Sequence, residues 1–180
     1  MSLTSILKEK KSDILRIWFD AVLLSYPQDT ANFLIKEKDR FANPVGFTYQ
    51  HNMEIIFDSL VGTTDRDTVL PAIDNIVKIR NVQNFAPSQA VAIFFLLKQV
   101  IRQYTNEHIA NGYRDDELLA LDAKIDNLAL AAFDCYSSLR ELMGDIRIRE
   151  AQRRIQKLMD RTNIFNDISD QEGDATNERT

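Results

Sequence analysis

Apolar residues recur along the chain in runs spaced three and four apart, the repeat of one face of an α-helix. The first run holds Ile6, Leu7, Ile14, Leu15, Trp18, Phe19, Val22 and Leu23, and predicts a helix over about 3–26 that ends before Pro27. Asp29 and Thr30 can cap a short second helix reaching about Lys38. Residues Asp39 to Gly46 combine Asn-Pro with a glycine and predict a loop. A third helix over about 47–61 places Met53, Ile56, Phe57 and Leu60 on one side, with Gly62 as its stop. The fourth runs from about Asp67 to Val82, with Pro71 expected in or near its first turn. Along it Ile73, Ile76, Val77 and Arg80 follow the helical spacing. The fifth, from Pro87 to about Asn111, is apolar on all sides and is expected to be the central helix.

The sixth helix starts at Asp115-Asp116-Glu117, acids suited to a helix N-terminus. Leu118, Leu121, Ile125, Leu128, Ala132, Cys135, Leu139, Leu142 and Ile146 alternate steps of three and four, a heptad seam that only Gly144 weakens. From Asp115 to Met159 there are 45 residues, about 67 Å of helix at ~1.5 Å per residue. A body of the preceding size is only about 40 Å across. The seam also changes face. Past Ile146 its positions fall on Arg149, Arg153 and Gln156, whereas the apolar residues are Ile148, Ala151, Ile155, Leu158 and Met159. The expected organisation is an all-α, six-helix bundle with a long, projecting C-terminal helix. A helical sensory or interaction domain would cover 1–145, the helix extension 146–165, and a disordered acidic tail 166–180. The extension is expected to meet a second copy of the chain, as a homodimer, or another protein, through residues 146–162; the remaining reading is a kinked helix that folds back on its own body.

Composition supports this picture. The chain has 180 residues with only 5 Gly and 4 Pro, too few for a turn-rich β fold. The net charge of −5 argues against nucleic acid as a partner. The segment 147–161 alone is +4, with six basic and two acidic residues. A longer apolar run, Ala90 to Leu97, is too short to cross a bilayer, so no membrane insertion is expected, and a basic-then-apolar leader is absent. The expected location is cytoplasmic.

Catalytic or metal chemistry finds little to work with. His51 and His108 fall on different helices and form no metal-type pair. His108, near the end of the most apolar helix, leaves a globin-like haem or small-ligand protein as the alternative reading. Cys135 sits on the heptad seam and reads as a core thiol. No phosphate-binding glycine loop, nucleophile elbow or cysteine pair is present, so neither an enzyme nor a cofactor is expected. A small-molecule signal stays open, because a helix bundle can leave a pocket between its aromatic residues.

Two stretches carry a family resemblance: Asp39-Arg40-Phe41-Ala42-Asn43-Pro44-Val45-Gly46, and Val82-Gln83-Asn84-Phe85-Ala86-Pro87-Ser88-Gln89-Ala90 leading to Leu96-Leu97-Lys98. With Trp18 and Tyr26-Pro27, they make the chain resemble the RsbRD N-terminal domain of RsbT co-antagonist proteins and related sensor histidine kinases, over roughly residues 10 to 140. The resemblance implies an all-helical, non-catalytic input domain of bacterial signalling. Relatives carry an output module after it. Here the long helix leads to an acidic tail, so the expectation is an adaptor that signals through that helix. The resemblance draws attention to Asp39, Arg40, Phe41, Asn43 and Pro44. The expectation for them is structural: Asn43 bonding to backbone, Asp39 pairing with Arg40 or another neighbour, and Phe41 plugging the core.

Overall fold

The computed structural model describes residues 2–62, 64–108 and 115–177; for Arg66, His108 and 162–177 it describes the backbone alone. These residues form seven helices: α1 (Leu3–Glu9), α2 (Lys11–Leu23), α3 (Gln28–Lys36), α4 (Pro44–Leu60), α5 (Arg66–Val82), α6 (Pro87–His108) and α7 (Asp115–Asn177). The chain divides into two compact units, Met1–Leu139 and Arg140–Thr180.

In the first unit α4 packs most extensively on α5, and α2 lies against both α4 and α6. Leu3, Leu7, Ile14, Trp18, Met53, Ile56, Phe57, Ile73, Ile76, Phe94 and Leu97 are all but sealed from solvent. Burial of such side chains contributes about 1.5–3 kcal/mol each. The Trp18 indole N–H donates to the Ile93 carbonyl at 2.8 Å, so the largest core side chain also satisfies its one polar atom and ties α2 to α6. Lys11 joins α2 to α4 through Glu54 (2.7 Å) and Asp58 (2.8 Å). Burial alone would lower the Lys11 pKa, but its hydrogen bonds to Asp58 and Glu54 outweigh that and raise it. In the first unit, α7 is held by Leu121, Ile125, Ala129, Ala132 and Tyr136, all buried, and by Lys98–Asp126 and Arg102–Asp122 ion pairs from α6.

Several expectations need correction. The first predicted helix is two, α1 and α2, meeting at Lys10; apolar spacing alone does not register a one-residue break. Helix α4 begins at Pro44 rather than Phe47, because Asn43 caps it and proline suits the first helical position. Pro71 is the sixth residue of α5, beyond the first turn, so one backbone hydrogen bond to Asp67 is forgone. Helix α6 is not enclosed all round: Phe95 is half exposed and Arg102 and Gln103 face solvent. The predicted Asn111-Gly112 stop lies outside the described residues. The backbone of α7 is helical to Asn177. Residues 178–180 lie outside the described residues.

Candidate functional site

The stretch Asp39 to Gly46 is a device for joining two helices. The Asp39 carboxylate accepts from the backbone N–H groups of Phe41 (2.6 Å) and Ala42 (3.1 Å), closing a tight turn. Asn43, buried at 3 % exposure, works in two directions. Its Oδ1 accepts from the Gly46 N–H at 2.8 Å, capping α4. Its Nδ2 donates to the carbonyls of Leu34 (3.1 Å) and Glu37 (2.9 Å), groups at the end of α3 that lack helical partners. Glycine at 46 is required by space: a Cβ there would stand 2.3 Å from the Asn43 Nδ2.

Asn43 thus bonds to backbone as expected, and Asp39 pairs with backbone rather than with Arg40. Phe41 does the opposite of plugging the core, being 90 % exposed. With the loop's polar groups turned inward to satisfy backbone, the ring is left outside. There the Arg40 guanidinium lies 5.8 Å from the Phe41 ring and 5.3 Å from the Phe47 ring, and Phe47 stacks on His51.

The second motif is a helix stop followed at once by a helix start. Asn84 takes the left-handed conformation (φ 59°). Its N–H donates to the Asn81 carbonyl (3.1 Å) and the Phe85 N–H donates to the Arg80 carbonyl (3.0 Å), the two bonds of a Schellman ending. Pro87 then opens α6, and the Gln89 Oε1 accepts from the Ala86 N–H at 2.9 Å, one half of a capping box.

Between these motifs lies a site that the apolar spacing contained but did not disclose. Arg80 falls in the series Ile73, Ile76, Val77, and its side chain is buried at 1 % exposure. The guanidinium faces three rings, Phe85 at 4.2 Å, Tyr26 at 5.3 Å and Tyr49 at 5.7 Å. Nη1 donates to the Ser25 hydroxyl at 2.8 Å, and Nε has no hydrogen-bond partner. Among the described residues no carboxylate forms an ion pair with it. Burial pushes the Tyr49 phenol well above its ordinary pKa, so no phenolate neutralises the cation. The rings are themselves linked, Tyr26 to Tyr49 (2.9 Å) and to Gln83 (2.6 Å), and the Tyr136 hydroxyl donates to the Phe85 carbonyl (2.8 Å). The box therefore gathers the end of α2, α4, the end of α5 and α7 around one cation. A spacing rule reads helix faces; it does not read an arginine as core unless the rings that solvate it are known.

In the second unit, the described side chains run from Arg140 to Arg161, and apart from half-buried Gly144 every one is exposed. Ile148 and Ile155 are each 58 % exposed, Leu158 62 % and Met159 57 %, with Ala151 exposed between them. Leu142, inside the expected 1–145 domain, and Ile146, the last position of the first seam, are exposed as well. Burial along α7 ends with Tyr136 and, more weakly, Leu139. Periodicity shows which face is apolar, not where the body beneath it stops.

Other candidates are weaker. His51 is exposed, and the His108 side chain lies outside the described residues. Cys135 is half-buried, and burial pushes its thiol pKa up, which disfavours the reactive thiolate. Among the described residues no cluster of three histidine, cysteine or carboxylate side chains could hold a metal. An open groove of about 760 Å³ runs along α1 to α4, with Leu15, Phe19 and Met53 on its floor and Lys8, Arg16 and Glu54 at its rim. It is a charged surface groove rather than a pocket between aromatic residues. No helix among the described residues is long and apolar enough to cross a membrane.

No curated protein matches the chain. No solved structure matches it either. The family described as the RsbT co-antagonist protein rsbRD N-terminal domain matches residues 12–151, from the start of α2 into the exposed stretch of α7, and includes both capping motifs and the arginine box. By that match the chain belongs to the RsbRD N-terminal domain family.

Proposed function

We propose that the chain is a non-catalytic input module of bacterial stress signalling, and that it passes its signal to another protein chain through residues 146–162 of α7. Family membership supports the signalling role. The observation that carries the interface is the second unit's run of exposed apolar residues, Ile148, Ala151, Ile155, Leu158 and Met159, at helical spacing. Contiguous apolar surface of this kind marks a place where another surface packs. A photo-crosslinking residue at position 155 in the full chain, produced in its own cells, tests the interface. The expected result is an adduct of discrete mass absent when the same residue replaces exposed Leu24. No adduct at 155, or the same adducts from both positions, would sink the proposal.

A further inference from the structure

The charges beside the exposed seam identify the kind of surface that fits it. Taking Ile148 and Ile155 as the first core position of each heptad, and Ala151 and Leu158 as the fourth, the residue before each isoleucine is an arginine: Arg147 and Arg154. Arg161 repeats the position one heptad on. The opposite flank, after Ala151 and Leu158, carries Gln152 and Met159. The seam thus has one cationic edge and one neutral edge. None of the ion pairs among the described residues uses Arg147, Arg154 or Arg161.

A second copy of the chain does not answer this pattern. Side by side and parallel, the arginine edge of one helix meets the neutral edge of the other, Arg147 beside Gln152 and Arg154 beside Met159. Antiparallel, the arginine edges face one another, and like charges across a seam repel. The one flank pair of opposite sign, Arg140 and Asp145, lies where the core positions would be Glu141 and Gly144, outside the apolar run. A bilayer surface is answered no better. Residues 140–161 contain no aromatic side chain to anchor at the interface, and Glu141, Asp145, Glu150 and Asp160 interrupt the basic polar face, which also carries Arg149, Arg153 and Lys157.

We infer that the partner of the Ile148–Met159 face is an amphipathic helix of another protein, with carboxylates along the flank that meets Arg147, Arg154 and Arg161. Isoleucine at both first core positions, with leucine at one of the two fourth positions, suits a two-stranded pairing. The carboxylates supply ion pairs to the arginine edge, which has none among the described residues, and they select this partner over a second copy. The inference rests on the proposed interface and adds the chemistry of its occupant.

The test uses the full chain and two synthetic three-heptad peptides with identical isoleucine and leucine cores, one with glutamate on both flanks and one with lysine. Fluorescence anisotropy at low and high salt reads binding. The glutamate peptide is expected to bind at least tenfold more tightly than the lysine peptide, with the margin shrinking as salt screens the pairs. The Arg147→Glu/Arg154→Glu variant is expected to reverse the preference. Equal binding of both peptides overturns the acidic partner while leaving the interface. A stable dimer in light scattering that Ile155→Asp/Leu158→Asp dissociates does the same, in favour of a second copy. Binding to anionic phosphatidylglycerol vesicles without preference between the peptides overturns it in favour of a membrane. A monomer that binds neither peptide nor vesicle overturns both the inference and the interface reading.

Discussion

Replacing Asn43 tests whether one side chain holds the ends of two helices. Asn43→Ala removes the cap of α4, worth about 1 kcal/mol. It also removes two hydrogen bonds to carbonyls at the end of α3, about 1 kcal/mol each. The expected loss is about 3 kcal/mol, or a fall of about 6–12 °C in Tm for a chain of this size, read by thermal and urea unfolding. Asn43→Asp separates the two roles. A carboxylate caps as well as an amide, yet it would face the Leu34 and Glu37 carbonyls with no hydrogen to donate. The expected cost at pH 7 is at least that of alanine. Burial against two carbonyl oxygens raises the introduced carboxyl's pKa in the folded state. The folded state then binds the proton more tightly than the unfolded state, so this variant should regain stability relative to Asn43→Ala as pH falls toward 4.

Gly46→Ala completes the argument. In an ordinary helix interior the change stabilises by up to about 1 kcal/mol. Here the new Cβ meets the Asn43 side chain at 2.3–2.8 Å and must dislodge it, so the substitution is expected to destabilise by about 2 kcal/mol through the lost cap and carbonyl bonds. With Asn43→Ala already present the obstruction is gone, and Gly46→Ala should be neutral or stabilising. The double variant is therefore expected to be no less stable than Asn43→Ala alone. Two penalties that simply add would refute the claim that glycine stands at 46 to make room for the cap.

Three further outcomes are expected. Arg80→Ala should cost about 3 kcal/mol in urea unfolding, as emptying a buried long side chain does. Arg80→Met, which keeps the volume and removes the unpartnered Nε, should cost less than half as much. Gly144→Ala should raise helicity by circular dichroism and stabilise the helix locally by up to about 1 kcal/mol, since nothing lies within 4 Å of the new methyl. Cys135 should react with a thiol reagent more slowly than free cysteine at pH 8 and gain rate at higher pH than free cysteine does, because burial holds its pKa above the usual thiol value.

What was legible in the sequence divides by the range of the interaction that decides it. Helix existence was legible because Trp18, Phe57, Ile73 and Ile125 sit on faces set by local spacing, and the structure buries all four. Helix ends were legible only in part: Pro87 opens α6 as expected, whereas the equally local Asn43–Gly46 cap of α4 is spelled with Asn-Pro and glycine, residues that also spell a loop, and the two bonds from Asn43 to the end of α3 reach back six and nine residues. Phe41 misled for the same reason. An aromatic residue in a loop suggests a plug, but here Asp39 and Asn43 turn their polar groups toward backbone and leave the ring outside. The arginine box needed the longest reach, since Ser25, Tyr26, Tyr49, Phe85 and Arg80 share no local pattern.

The two seams of α7 show what such patterns can carry into function. Along the first seam burial fades at Leu139, while apolar spacing continues through Leu142, inside the expected 1–145 domain, to Ile146. A seam that continues beyond its buried stretch, then shifts face past Ile146 and acquires an arginine edge, is not explained by the first unit's core. Core packing selects apolar residues on one face and is indifferent to the sign of the charges beside them. Arginine at three successive equivalent positions, 147, 154 and 161, is a pattern in charge as well as in apolarity, and charge beside a seam acts on the choice of partner.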